Sequence, residues 1–226
     1  MNTIGLLRNI GSGKNTVAQY LATKGCIPTS FAGPLKDLCA HVFGWERNML
    51  EGETDESREF REGVDLYWSK KLGIQNFTPR LALQLIGTDV MRNHFNQDIW
   101  LSSLEYRVKK LHNQNKCVVI SDCRFRNEVD LISRMGGITI LVERDEKPEW
   151  YEIALAANSG DAVAKHIMKK DFKDIHTSEW DWIGCEINYT VKNTGTLDDL
   201  YANIDVIIDK LPQKPQIFHD NGLEII

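Results

Sequence analysis

The stretch Thr3-Ile4-Gly5-Leu6-Leu7-Arg8-Asn9-Ile10-Gly11-Ser12-Gly13-Lys14-Asn15-Thr16-Val17-Ala18 decides the fold. Residues 3–7 are short and apolar, the pattern of a buried strand. Residues 9–13 form a glycine-rich turn. Over 14–24, Val17, Ala18, Tyr20 and Leu21 recur at helical spacing, and Gly25 follows as the residue that ends the helix. The same alternation continues outward. Strands are expected at 26–31, 117–121, 138–142 and 189–191, and helices at 35–43, 80–95, 99–111, 127–135 and 197–211. Strands that alternate with helices imply a three-layer α/β fold, a parallel sheet flanked by helices. Ligands in such sheets bind at the carboxyl ends of the strands. Those ends carry the glycine-rich turn, Asp122 with Arg124, and Arg144.

Composition narrows the function. The chain has 226 residues, with 27 Lys and Arg against 32 Asp and Glu, for a net charge of −5. A hydrophobic share of 42% and a charged share of 26% are ordinary for a globular protein. They exclude a disordered chain and a fibrous repeat. No apolar run approaches the roughly 20 residues of a membrane-spanning helix, so no membrane association is expected. The start lacks a basic region followed by an apolar run, so no secretory leader is expected. The acidic balance argues against a nucleic acid polymer as partner. The five cysteines form no Cys-x-x-Cys pair and read as reduced thiols of a cytoplasmic protein.

Two segments interrupt the alternation. Residues 44–78 are dense in charge between Glu46 and Glu62, the pattern of a solvated insertion or of a flap over a substrate. Residues 145–183 are polar and lack a clear strand. The expectation is one domain over 1–226 that carries both segments, with a peripheral tail at 212–226.

The run from Arg8 to Asn15 approximates the phosphate-binding pattern of Gly, four residues, then Gly-Lys-Ser/Thr. Backbone N–H groups of Asn9, Gly11, Ser12 and Gly13 can wrap a phosphate, with a helix N-terminus behind them. Lys14 would reach the β- and γ-phosphates, and Thr16 could help hold one. Arg8 stands where the first Gly belongs. Asn15 stands where a Ser or Thr helps hold Mg²⁺, and offers a carbonyl oxygen instead. Asp122, at a strand end, is the second candidate metal ligand. It could alternatively orient the acceptor or cap the next helix. Arg124 and Arg126 follow, then Glu128 on the first turns of that helix.

Cations and amide donors suited to an acceptor nucleotide lie between Gly33 and Trp100. Lys36 and Arg80 would hold its phosphate. Gln84, Thr88 and Asp89, beside Gly87, would meet the edges of its base, and Trp100 could stack on it.

These residues together resemble the deoxynucleoside monophosphate kinases of tailed bacteriophages. The resemblance runs over roughly residues 3–210. It rests on Ser12-Gly13-Lys14, Ala32-Gly33-Pro34-Leu35-Lys36-Asp37, Leu83-Gln84 with Gly87-Thr88-Asp89, Trp100, Ser121-Asp122-Cys123-Arg124-Phe125-Arg126-Asn127-Glu128, His176-Thr177-Ser178-Glu179 and Asn188. It implies a P-loop kinase with an adenylate-kinase-like core, an acceptor-side cover at about 44–78 and a lid at about 145–183. It implies ATP as co-substrate, Mg²⁺ as cofactor and a dNMP as acceptor. Lys14, Asp122 and Arg124 would be catalytic. Asn9, Gly11–Thr16 and Arg144 would bind ATP. Lys36, Arg80, Gln84, Gly87, Thr88, Asp89, Trp100, Asp122, Arg124 and Glu128 would bind the dNMP. It also suggests a homodimer in the cytoplasm of a host cell. Two alternatives share the donor loop: another small-molecule P-loop kinase, such as one acting on dephospho-coenzyme A, and a nucleotide-binding protein without catalysis. A third reading makes the acidic 46–62 stretch a docking site for a partner protein.

Overall fold

A computed structural model describes residues 3–7, 11–144 and 146–211. Arg8, Asn9 and the tail 212–226 lie outside these residues. The chain divides into two compact units. One holds the residues up to Ser30 together with those from Glu105 onward, and the other is Phe31–Leu104.

The first unit is built on five parallel strands: β1 (Thr3–Leu7), β2 (Cys26–Thr29), β3 (Cys117–Cys123), β4 (Ile138–Glu143) and β5 (Tyr189–Lys192). Their order in the sheet is β2-β3-β1-β4-β5. Ile4 lies opposite Val119 and Ile138, and Leu7 opposite Cys123 and Leu141. The β1–β3 register shifts between Gly5 and Leu7, so β3 runs through Asp122 to Cys123, two residues past the expected end.

Side-chain alternation sends β1 to two different helix layers. Ile4 and Leu6 pack with Val17 and Leu21 of α1 (Lys14–Thr23) and with Leu200, Ile204 and Ile207 of α10 (Leu197–Asp209). Tyr20 stacks on Tyr201 with ring centroids 4.1 Å apart, and its hydroxyl donates to Asp205 at 2.7 Å. Gly5 faces the other way. A Cβ there would lie 2.3 Å from Ile132 Cδ1, so its absence lets α7 (Arg126–Arg134) seat against β1. A parallel sheet covered on both faces is the three-layer arrangement expected. The unit also holds α8 (Tyr151–Asn158), α9 (Ala162–Lys170) and a single 3₁₀ turn at Thr177–Glu179.

The cysteine expectation needs correction. Cys26 and Cys117 are in register on neighbouring strands, with Cα atoms 4.4 Å apart, and a disulfide joins them. Sequence separation of 91 residues hides that neighbour relation. Cys39 and Cys123 are buried free thiols, and Cys185 is a half-buried one.

The second unit is helical: α2 (Gly33–Phe43), α3 (Asp55–Glu62), α4 (Leu66–Leu72), α5 (Pro79–Gln84) and a π-helix at Leu85–Phe95, followed by the start of α6 (Ile99–Asn113). Three of its helix starts are capped by side chains. Thr54 and Ser57 cap α3 reciprocally, Asp65 accepts from Trp68 N at 2.9 Å, and Thr78 accepts from Leu81 N at 3.1 Å. The charged 44–78 segment therefore has its own helices. Phe43, Trp45, Trp68 and Phe77 form a cluster within it, and Leu50 is fully buried. The expected helix over 80–95 also differs. Its second part opens to π geometry, and Asn96 N donates to Met91 O, five residues back, at 2.8 Å. The Gly87 carbonyl accepts from the Trp100 indole N–H at 2.9 Å, and Gly87 has no Cβ to crowd Leu35, whose Cδ2 would lie 2.5 Å from one.

Candidate active site

The carboxyl edge of the sheet gathers the donor-side candidates. Gly11 and Gly13 adopt φ of +88° and +100°, which L side chains rarely accept. They turn the chain from β1 into α1. Among the described residues no side chain caps α1, so its first amides are left for a ligand and suit an anion. Lys14 opens the helix at only 8% exposure. Ser12 is 3% exposed, and its Oγ has no partner among the described residues. A buried hydroxyl without a partner is costly, and a phosphate oxygen would relieve it.

Two side chains from neighbouring strand ends fasten the loop. Arg144, just after β4, donates from Nη1 to Gly11 O at 3.4 Å. Asn193, just after β5, donates from Nδ2 to Ser12 O at 2.9 Å. Asn15 is exposed and Thr16 half-buried, both on the first turn of α1.

Asp122 is half-buried in the last residues of β3, beside β1. It does not cap α7; Phe125 occupies that position. Burial pushes the neighbouring Cys123 thiol well up. The charges of Glu128 and Asp122 add to the effect, while a Leu6 backbone hydrogen bond and the charge of Lys14 oppose it. Glu128, 3% exposed, accepts from Arg124 N at 2.8 Å and Phe125 N at 3.1 Å. It anchors the turn that presents Arg124. The Arg124 guanidinium reaches Glu179 Oε1 at 3.4 Å, and the Trp182 indole N–H donates to Glu179 O at 3.0 Å. Asn188 accepts from Thr139 N at 2.8 Å between β4 and β5.

In the second unit the acceptor-side cations are held by carboxylates. Lys36 Nζ lies 2.5 Å from Glu51 Oε2. Arg47 pairs with both Asp37 and Glu51. Burial pushes the Glu51 carboxyl up, but Lys36 and Arg47 outweigh it and hold the group below its ordinary value. Arg80 pairs with Glu62 at 2.7 Å, both exposed. Gln84, Thr88 and Asp89 are exposed along the helical stretch, whereas Gly87 is buried. Trp100 is 6% exposed. It stands in the core of its unit with its N–H on Gly87 O, so it supports the π-helix rather than offering an open ring face.

Sequence reasoning missed Asn193, Glu179 as the partner of Arg124, and Glu51 as the partner of Lys36. Only Asn193 carried a usable signal, since it follows the last strand at the same carboxyl edge.

The model of the family described as "Deoxynucleotide monophosphate kinase" matches residues 46–153. A protein of Acanthamoeba polyphaga mimivirus named as a deoxynucleotide monophosphate kinase is 37% identical over 154 residues, covering 64% of this chain and 75% of its own. A deoxynucleoside-5′-monophosphate kinase of Escherichia phage T5 is 26% identical over 178 residues, covering 57% of this chain and 70% of its own. Among solved structures, a dephospho-CoA kinase from Campylobacter jejuni aligns over 92% of this chain and 96% of its own, with 15% identity and a TM-score of 0.43.

Proposed function

The chain belongs to the deoxynucleotide monophosphate kinase family, and from that premise we propose that it transfers the γ-phosphoryl group of ATP to a dNMP, giving ADP and dNDP. One observation carries the donor side. The buried Ser12 hydroxyl and the start of α1, for which no partner and no side-chain cap occur among the described residues, lie at the strand edge that also bears Lys14, Asp122 and Arg124.

The chemistry needs no protein nucleophile, because the acceptor phosphate is already anionic. Its oxygen attacks the γ-phosphorus in line, and the bond to the β–γ bridging oxygen breaks. The protein's part is positioning and charge neutralisation. Lys14 and the first-turn amides hold the donor phosphates. Arg124 offsets charge on the transferring group, and Arg144 lies against the loop on the nucleotide side. Lys36 and Arg80 bind the acceptor phosphate in exchange for Glu51 and Glu62, while Gln84, Thr88 and Asp89 meet the base. Closure of 44–78 and 145–183 over the substrates would exclude water and suppress ATP hydrolysis.

The donor set suits Mg²⁺, which takes few protein oxygens and fills the rest of its shell with phosphate and water. Among the described residues no group of three or more His, Cys, Asp or Glu is placed to hold a metal ion by itself, as expected where phosphate and water complete the shell. Asp122 and the Asn15 side-chain carbonyl oxygen would hold the ion, which when bound would supply charge neutralisation.

No helix among the described residues is long and apolar enough to cross a membrane. The same reading places the enzyme in the cytoplasm of a host cell as a homodimer, and sedimentation would decide the latter. The direct test is an ADP-coupled assay with Mg²⁺ against dGMP, dTMP, dAMP, dCMP, their ribose forms and dephospho-coenzyme A. Turnover with a dNMP supports the reading. Turnover with dephospho-coenzyme A alone, or ATP binding without turnover, overturns it.

A further inference from the structure

We propose that Asn193 is a positioning residue for ATP, a role that rests on the kinase reading. A loop that cradles phosphate must turn its N–H groups inward and its carbonyls away. Asn193 fastens one of those carbonyls, with Nδ2 2.9 Å from Ser12 O. Its own backbone is fixed in turn, since Asn193 N donates to Glu143 O at 2.5 Å, one residue beyond the Glu143–Lys192 pairing of β4 and β5. The side chain therefore projects from the sheet edge rather than from a free turn.

Gly13 completes the device. A Cβ at Gly13 would lie 2.4 Å from Asn193 Nδ2, so the carboxamide sits directly against that Cα. Gly13 thus serves two needs, its φ of +100° and this close approach. The clamp bears on the two residues whose amides and hydroxyl precede Lys14. It ties the loop to β5, and Arg144 ties it to β4.

The test compares wild type with Asn193→Ala, Asn193→Ser and Asn193→Asp. Readouts are the KM values for ATP and for the dNMP, ATP affinity by calorimetry, and thermal melting. Freeing the Ser12 carbonyl predicts ATP binding weakened about 3- to 10-fold in the Ala and Ser variants, the range of one net hydrogen bond, with the dNMP KM unchanged and melting lowered by no more than a few degrees. Asn193→Asp keeps the shape and removes the donor. It places a carboxylate beside the triphosphate, so it weakens ATP further, by an amount that shrinks as salt is raised. Unchanged ATP affinity in all three variants overturns the proposal. So does an equal loss for both substrates with lowered melting, which marks general damage. If wild type neither binds ATP nor phosphorylates any dNMP, the kinase reading fails and this proposal with it.

Discussion

The carboxyl edge of the sheet and the helical stretch between Lys36 and Trp100 differ in how they carry the groups proposed to hold phosphate. At the sheet edge the donors belong largely to the backbone. Gly11 and Gly13 set the turn, and among the described residues no side chain caps α1 and the buried Ser12 hydroxyl has no partner. In the helical stretch the charged groups sit on long side chains already committed to carboxylates: Lys36 to Glu51, Arg80 to Glu62, and Arg47 to Asp37 and Glu51. If the proposed function holds, a triphosphate would meet backbone donors already set by the turn, whereas an acceptor phosphate would have to displace Glu51 and Glu62 from Lys36 and Arg80.

That contrast predicts its largest effect at Lys14. Lys14→Ala should lower kcat by about 10²–10³-fold, the cost of removing one preorganised electrostatic donor, and melting should barely move. A loss below tenfold would mean that the edge is not preorganised around this side chain. The next effect should fall in the other unit and on stability. Gly87→Ala would place a Cβ 2.5 Å from Leu35 Cδ2. Overpacking of this kind costs about 1–3 kcal/mol, seen as a fall in melting temperature. An unchanged melt would show that the packing of α2 on the π-helix is loose.

The two regions were also unequally legible in the sequence. The donor loop is a local pattern, since Gly11, Gly13 and Lys14 lie within four residues and act through their own backbone. Asp122 and Arg124 follow from a strand end, which periodicity locates. The acceptor side depends on partners that packing brings together. Lys36 meets Glu51 15 residues away, and Trp100 meets Gly87 13 residues away, inside the π-helix. An indole near a nucleotide motif reads as a stacking platform, whereas the structure shows Trp100 buried with its N–H on a backbone carbonyl. Arg124 with Glu179, Ser12 with Asn193, and Cys26 with Cys117 lie 55, 181 and 91 residues apart. No spacing rule reaches that far.

Trp100→Phe separates the two roles of that residue. The ring and most of its volume remain, but the bond to Gly87 O is lost, worth about 1 kcal/mol. If Trp100 supports the π-helix, melting falls by a few degrees and the dNMP KM rises while the ATP KM holds. If Trp100 stacks on the base, phenylalanine substitutes for it and the dNMP KM is preserved.

The smallest effect bears on the exchange itself. Glu51→Gln removes the charge that competes for Lys36 and should lower the dNMP KM about two- to fivefold, within the range of a single partly exposed ion pair. A raised KM would mean that Glu51 orients Lys36 for the acceptor rather than competing with it. The pH dependence gives an independent check. Burial pushes the Glu51 carboxyl up, yet Lys36 and Arg47 hold it below its ordinary value. A carboxylate depressed in the folded state contributes stability above its unfolded value of about 4.3, and that stability is lost as pH falls through the lower folded value. The wild-type melting temperature should therefore gain nothing from Glu51 between pH 7 and roughly 5. Below about 4 it should fall more steeply in wild type than in Glu51→Gln. Parallel curves in acid would show that the pair with Lys36 does not stabilise the helical unit, and the exchange would then cost the acceptor nothing.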